Sequence, residues 1–90
     1  MDRLPLLLTP GDAERLIARR LRALRAHRGL TQVELAERAG LGVATVARME
    51  STGKGQVATL LALTSALGRL GDVEGLLAPP APTTLDELEP

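Results

Sequence analysis

The chain has 90 residues, enough for one hydrophobic core and too few for two. It holds no cysteine and no aromatic residue, which excludes disulfides, thiolate metal sites, cysteine nucleophiles and the aromatic platforms on which single-stranded nucleic acids stack. Net charge is zero, yet residues 1–55 carry ten Lys/Arg against six Asp/Glu and residues 56–90 one Arg against five acids, a split that suits an anionic partner on one part of the molecule.

Apolar residues make up 44% of the chain, so it is globular with an aliphatic core of Leu, Val, Ile, Ala and Met. The apolar run at residues 6–8 is far shorter than the roughly 20 residues a bilayer requires. Residues 1–10 do not read as a signal peptide either, because Asp2 offsets Arg3 and Pro5 interrupts the apolar stretch. The expectation is a cytoplasmic protein with no membrane association.

Helical signals then follow one another along the chain. Thr9-Pro10-Gly11-Asp12 has the form of a helix start, with Thr as N-cap, Pro at the first position and an acid in the first turn. Ala13, Ile17, Leu21 and Leu24 recur at steps of four and three, the stripe of an amphipathic helix that Gly29 stops. Arg15, Arg19, Arg20, Arg22, Arg25 and Arg28 give this helix a basic face, which solvation alone also explains. Thr31-Gln32-Val33-Glu34 has the pattern of a capping box and opens a short helix over Gln32–Ala39, closed by Gly40. Only Leu41 and Gly42 separate it from another short helix over residues 43–50, and residues 51–55 read as a loop. Val57, Leu60, Leu63, Leu67 and Leu70 predict a fourth helix ending at Gly71, and residues 72–77 a short fifth weakened by Gly75. Residues 78–82 are Pro-rich and extended, and Thr84-Leu85-Asp86-Glu87 repeats the capping pattern for a last helical turn. The resulting division is an N-terminal arm at 1–9, a helical domain at 10–77 and a Pro-rich acidic tail at 78–90.

Two eight-residue helices joined by a glycine-containing turn form a helix-turn-helix pattern, and neither is stable without tertiary packing. Residues 30–50, LTQVELAERAGLGVATVARME, closely resemble the Cro/repressor (XRE) helix-turn-helix family. The resemblance covers about residues 14–70. It rests on Thr31-Gln32 opening the second helix, Leu35-Ala36 in its middle, Gly40 at its end, then Thr45-Val46 and a closing Glu50 in the third. The implied fold is all-α, a compact four- to five-helix bundle of the lambda-repressor-like type.

By the same resemblance the partner is a double-stranded DNA operator, with the third helix in the major groove. Val43, Ala44 and Arg48 take the base-facing positions, and Gln32 stands where the second helix meets a phosphate. Thr45, Ser51 and Lys54 are candidates for sugar-phosphate contacts. Arg25 and Glu50 match an internal ion pair that ties the first helix to the third; otherwise Arg25 merely belongs to the basic face. One departure is that Gly42-Val43-Ala44 replaces the usual polar run, which leaves few side chains able to read sequence. Either Arg48 and DNA shape carry specificity, or the domain has turned to binding protein.

The implied protein is a homodimeric repressor. The arginine-rich first helix, the Leu-rich fourth and the Leu-Leu-Ala-Pro-Pro segment also resemble regulators encoded beside HipA-type kinase toxins, which implies a toxin partner and a HipB-like antitoxin role. The outer face of the fourth helix with Leu76 and Leu77 is a candidate dimer surface, and Asp86, Glu87 and Glu89 belong to a solvated tail or a docking segment. Thr52-Gly53-Lys54-Gly55 is not a phosphate-binding loop, since no strand precedes it and Gly55 stands where Ser or Thr is required. His27 is read as a helix-end residue and Met49 as core filler. No catalytic cluster is present in the sequence, so neither an enzyme nor a cofactor is expected.

Overall fold

The computed structural model describes residues 7–81. The repeated capping pattern at residues 84–87, the acids Asp86, Glu87 and Glu89, and most of the N-terminal arm lie outside them. The described residues form α1 (Pro10–His27), α2 (Gln32–Ala39), α3 (Val43–Thr52), α4 (Val57–Ala66) and a final 3-10 helix (Leu70–Gly75), with no strand among them. The all-α expectation therefore holds.

The first two helices start on complete capping boxes. Thr9 Oγ1 accepts from the Asp12 N–H at 3.0 Å while Asp12 accepts from the Thr9 N–H at 3.1 Å, and Thr31 with Glu34 repeats the arrangement at 3.0 and 2.8 Å. These hydrogen bonds hold both carboxylates below their ordinary pKa, the backbone N–H of the capping threonine being the largest cause in each case. At α3 and α4 the N-caps are Gly42 and Gln56, and neither supplies a side-chain cap. Their leading N–H groups are thus left to water or to an external acceptor.

The core is aliphatic. Leu21 from α1, Leu35 and Ala36 from α2, Val46 and Met49 from α3, and Leu63 with Leu67 from α4 and its cap form one buried cluster. Leu35, Val46, Leu63 and Leu67 are completely enclosed, each worth roughly 1.5–3 kcal/mol relative to exposure. Ala36 is small enough to bring α2 close to α3, so packing holds together two helices too short to persist alone.

Three boundaries differ from expectation. First, α3 runs to Thr52 rather than 50, because Thr52 Oγ1 donates to the Arg48 carbonyl at 2.8 Å and accepts from the Lys54 N–H at 3.0 Å, bridging the helix end to the loop. Gly53 then closes it at φ +69, its N–H on the Met49 carbonyl at 2.9 Å. Second, α4 ends at Ala66 and not near Leu70. Gly68, at φ +73, terminates it through an Arg69 N–H bond to the Thr64 carbonyl at 2.9 Å; the apolar spacing that continues to Leu70 masked this stop. Third, the expected helix at 72–77 is a 3-10 turn that begins earlier, at Leu70, and ends at Gly75. Leu76 is then extended and Leu77 takes φ +59, a left-handed conformation that disfavours any residue with a Cβ.

Gly53 also sets how closely the loop approaches α1. A Cβ at this position would stand 2.6 Å from the Glu14 carbonyl carbon and overlap its oxygen. The loop after α3 therefore lies directly on the backbone of the first helix.

Candidate nucleic-acid interface

The geometry of α3 begins with which of its faces is buried. Val46, Met49 and Glu50 point inward. Ala44, Arg48 and Ser51, at helical steps of four and three, form the opposite, solvent-facing stripe, flanked by exposed Val43 and Thr45. An exposed helix that starts without a side-chain cap follows α2 after only three residues, which fixes the two helices as a rigid unit.

Behind that surface sits a buried charge cluster. Arg25 Nε donates to Glu50 Oε2 at 2.6 Å and Nη2 to Oε1 at 2.9 Å, a two-pronged pairing of guanidinium and carboxylate. Arg25 Nη1 donates to the Leu30 carbonyl at 2.8 Å, and Gln32 Nε2 to Glu50 Oε1 at 3.1 Å. The Glu50 carboxylate thus joins α3 to α1 and α2, and Arg25 ties the same cluster to the α1–α2 turn. The Glu50 side chain is only 2% exposed. Burial by itself pushes its pKa up, but hydrogen bonds from Arg25 and Gln32, with the charges of Arg25 and Arg22, outweigh this and hold it below the usual glutamate value. Glu50 raises the Arg25 pKa in turn through the same hydrogen bonds.

The sequence-derived candidates fall into separate places. Gln32 does not extend outward to meet a phosphate; its amide turns onto Glu50, and the Thr31 cap takes the Glu34 N–H of the first turn of α2. Thr45, Arg48 and Lys54 come together along a cleft of about 390 Å³ beside α3. Lys54 Nζ there donates to Glu14 Oε1 at 2.8 Å, an exposed pair of little energetic consequence. Ser51 donates to the Arg48 carbonyl at 3.2 Å while staying exposed. Val43 and Ala44 occupy the exposed first turn of α3.

Sequence reasoning missed Gln56 and Thr59, which line the same cleft at the start of α4. The signal was available, because Gln is not a preferred N-cap and its use at the head of a helix leaves N–H groups open. Thr45, Arg48, Lys54, Gln56, Thr59 and the uncapped end of α4 make a concentration of donors on one side of the exposed helix, an arrangement that can hold anionic oxygen.

Residues 9–77 match the family model described as "Helix-turn-helix domain". The chain belongs to the helix-turn-helix family. No curated protein and no solved structure matches it. Membership in this DNA-binding family gives the exposed face of α3 a meaning that exposure alone lacks. No helix among the described residues is long and apolar enough to cross a membrane.

Proposed function

We propose that this helix-turn-helix protein is a sequence-specific transcriptional repressor of the Cro/repressor (XRE) type, which acts as a homodimer on a two-fold operator. The observation that carries the reading is the family match together with the outward stripe Ala44, Arg48 and Ser51 on a helix whose other side is locked into the core. Such a helix presents its first turns to base edges in the major groove. Arg48 is the residue suited to a bidentate contact with guanine, and Val43 or Ala44 to a thymine methyl. Thr45, Lys54, Gln56, Thr59 and the open N–H groups of α4 lie where a phosphate would complete them. Ser51 extends the same line of sugar-phosphate contacts, and the backbone N–H groups of the first turn of α2, not the Gln32 side chain, supply another. Arg25 and Glu50 act from behind, setting the angle between α2 and α3 rather than touching DNA.

One helix with a single long polar side chain, Arg48, on its outward stripe makes few specific contacts, so two copies on paired half-sites roughly 34–36 Å apart supply the affinity. An antitoxin role beside a HipA-type toxin is the finer form of this reading, supported by the resemblance of the arginine-rich α1 and the Leu-Leu-Ala-Pro-Pro segment. The apolar Gly42-Val43-Ala44 start of α3 favours a second reading, a module that keeps the fold and binds protein instead.

Gel shifts with the duplex upstream of the protein's own gene, at two salt concentrations, separate the two. A repressor contacting six or more phosphates loses affinity with a log–log salt slope near −0.9 per contact. Absence of retention on any duplex at low salt would sink the repressor reading.

A further inference from the structure

The six arginines of α1 and its C-cap do not form one basic face. Arg25 is turned inward onto Glu50. Arg20 borders the groove between α1 and α4, and Arg28 Nη2 lies 2.6 Å from where a Cβ on Gly68, just after α4, would stand. Arg15, Arg19 and Arg22, at helical steps of four and three, share a different line, and all three are exposed. The line beside theirs, Glu14, Ala18, Leu21 and Arg25, is the one that meets α3 and the loop after it. Gly53 lies on the Glu14 backbone, Ala18 and Leu21 are buried, and Arg25 holds Glu50. By helical register the three arginines therefore flank α3 on the side away from α4.

Charge on this line is not cancelled from within. Both acids of α1 are engaged at its start, Asp12 in the capping box and with Arg15, Glu14 with Lys54. Arg19 and Arg22 make no ion pair with another described residue, although like charges three and four apart on a helix repel. The charge of Arg22 reaches Glu50 of α3, adding to the hydrogen bonds from Arg25 and Gln32 that outweigh burial there.

We infer that Arg15, Arg19 and Arg22 form a second phosphate-binding track, which holds the DNA backbone flanking the bases that α3 reads. A helix lying in the major groove has a sugar-phosphate backbone on either side. On the α4 side of α3 the donors are Thr45, Lys54, Gln56 and Thr59; the arginine line supplies the other side. Its rise along α1 is about 10 Å, the axial length of about three phosphates on one strand, and the forked guanidinium suits phosphate oxygens. The inference rests on the proposed DNA-binding reading and adds to it residues outside the helix-turn-helix.

The test is the salt dependence of gel shifts by the full chain on the duplex upstream of its own gene, with two charge-matched variants. Arg19→Ala with Arg22→Ala removes two arginines from the line beside α3; Arg20→Ala with Arg28→Ala removes two from the side of α1 that faces α4. The first variant should flatten the log–log slope by about 1.8 per bound copy, 0.9 for each lost contact, with base preference and helical circular dichroism unchanged. The second should keep the wild-type slope. Trimming the duplex outside the protected bases should weaken the wild type and leave the first variant unaffected. Equal slopes in the wild type and the first variant overturn the inference and leave the line to solvent or to an acidic protein. Equal losses in the two variants overturn it too, reducing the effect to net charge, as does a wild type that trimming never weakens. A wild type retained on no duplex sinks the repressor reading and this inference together, whereas retention with any of the other adverse results sinks this inference alone.

Discussion

Three glycines separate the cost of backbone conformation from the cost of close approach. Gly42 has an ordinary negative φ of −74 and open space around it. Gly42→Ala should therefore change stability little, because the entropy removed from the unfolded chain, roughly 0.4–1 kcal/mol, is offset by alanine being the poorer N-cap. Gly40 has φ +70 with nothing near the place of a Cβ. Gly40→Ala should cost about 1–2 kcal/mol, the penalty of a left-handed alanine. Gly53 has the same φ, but its added methyl would overlap the Glu14 backbone. No flexible side-chain end can yield there, so α1 must shift against α3, adding roughly 1–3 kcal/mol of overpacking. Gly53→Ala should thus cost about 2–5 kcal/mol in all, a large share of the 5–15 kcal/mol that stabilises a typical domain. The chain has no aromatic residue, so urea unfolding is best followed by far-UV circular dichroism. A Gly53→Ala loss no larger than that of Gly40→Ala would refute the reasoning.

Other expectations follow from the buried pair and the caps. Arg25→Ala leaves Glu50 buried without its two-pronged partner and should cost about 3–5 kcal/mol in urea unfolding. The Glu50 carboxylate has a lower pKa folded than unfolded, so its contribution is complete above the unfolded value, near 4.3, and is lost as pH falls through the folded value. Acid titration of stability should therefore steepen below about pH 4.3 in the wild type. Glu50→Gln should flatten that part of the profile, and an unaltered profile would contradict the assignment. Thr31→Ala removes the α2 cap and should cost about 1 kcal/mol by the same unfolding measurement. In gel shifts, Arg48→Ala should relax base preference. Gln32→Ala should lower stability slightly through the lost bond to Glu50 and leave duplex affinity nearly unchanged, since the backbone N–H groups of α2 persist; preference unchanged in Arg48→Ala would remove that residue from base reading.

Much of this protein was legible along one dimension because its signals are local. Thr31 and Glu34 are three residues apart, as are Thr9 and Asp12, and a capping box needs nothing from elsewhere in the chain. Leu35, Ala36, Val46 and Met49 lie in the core because helical periodicity already commits them to one side. Boundaries were less legible where two local rules conflict. The Leu60-Leu63-Leu67-Leu70 spacing argues for a longer α4, while the hydrogen bond from Arg69 to the Thr64 carbonyl, formed around Gly68, ends it. What tertiary structure alone decided are the contacts between residues far apart in sequence. Spacing does not say that the Gln32 amide turns onto a carboxylate 18 positions away, that Gln56 and Thr59 join Thr45 and Arg48 along one cleft, or that Gly53 lies against Glu14. Those outcomes depend on how helices cross, and crossing is set by the volumes that interlock in the core rather than by the order of residues along any one helix.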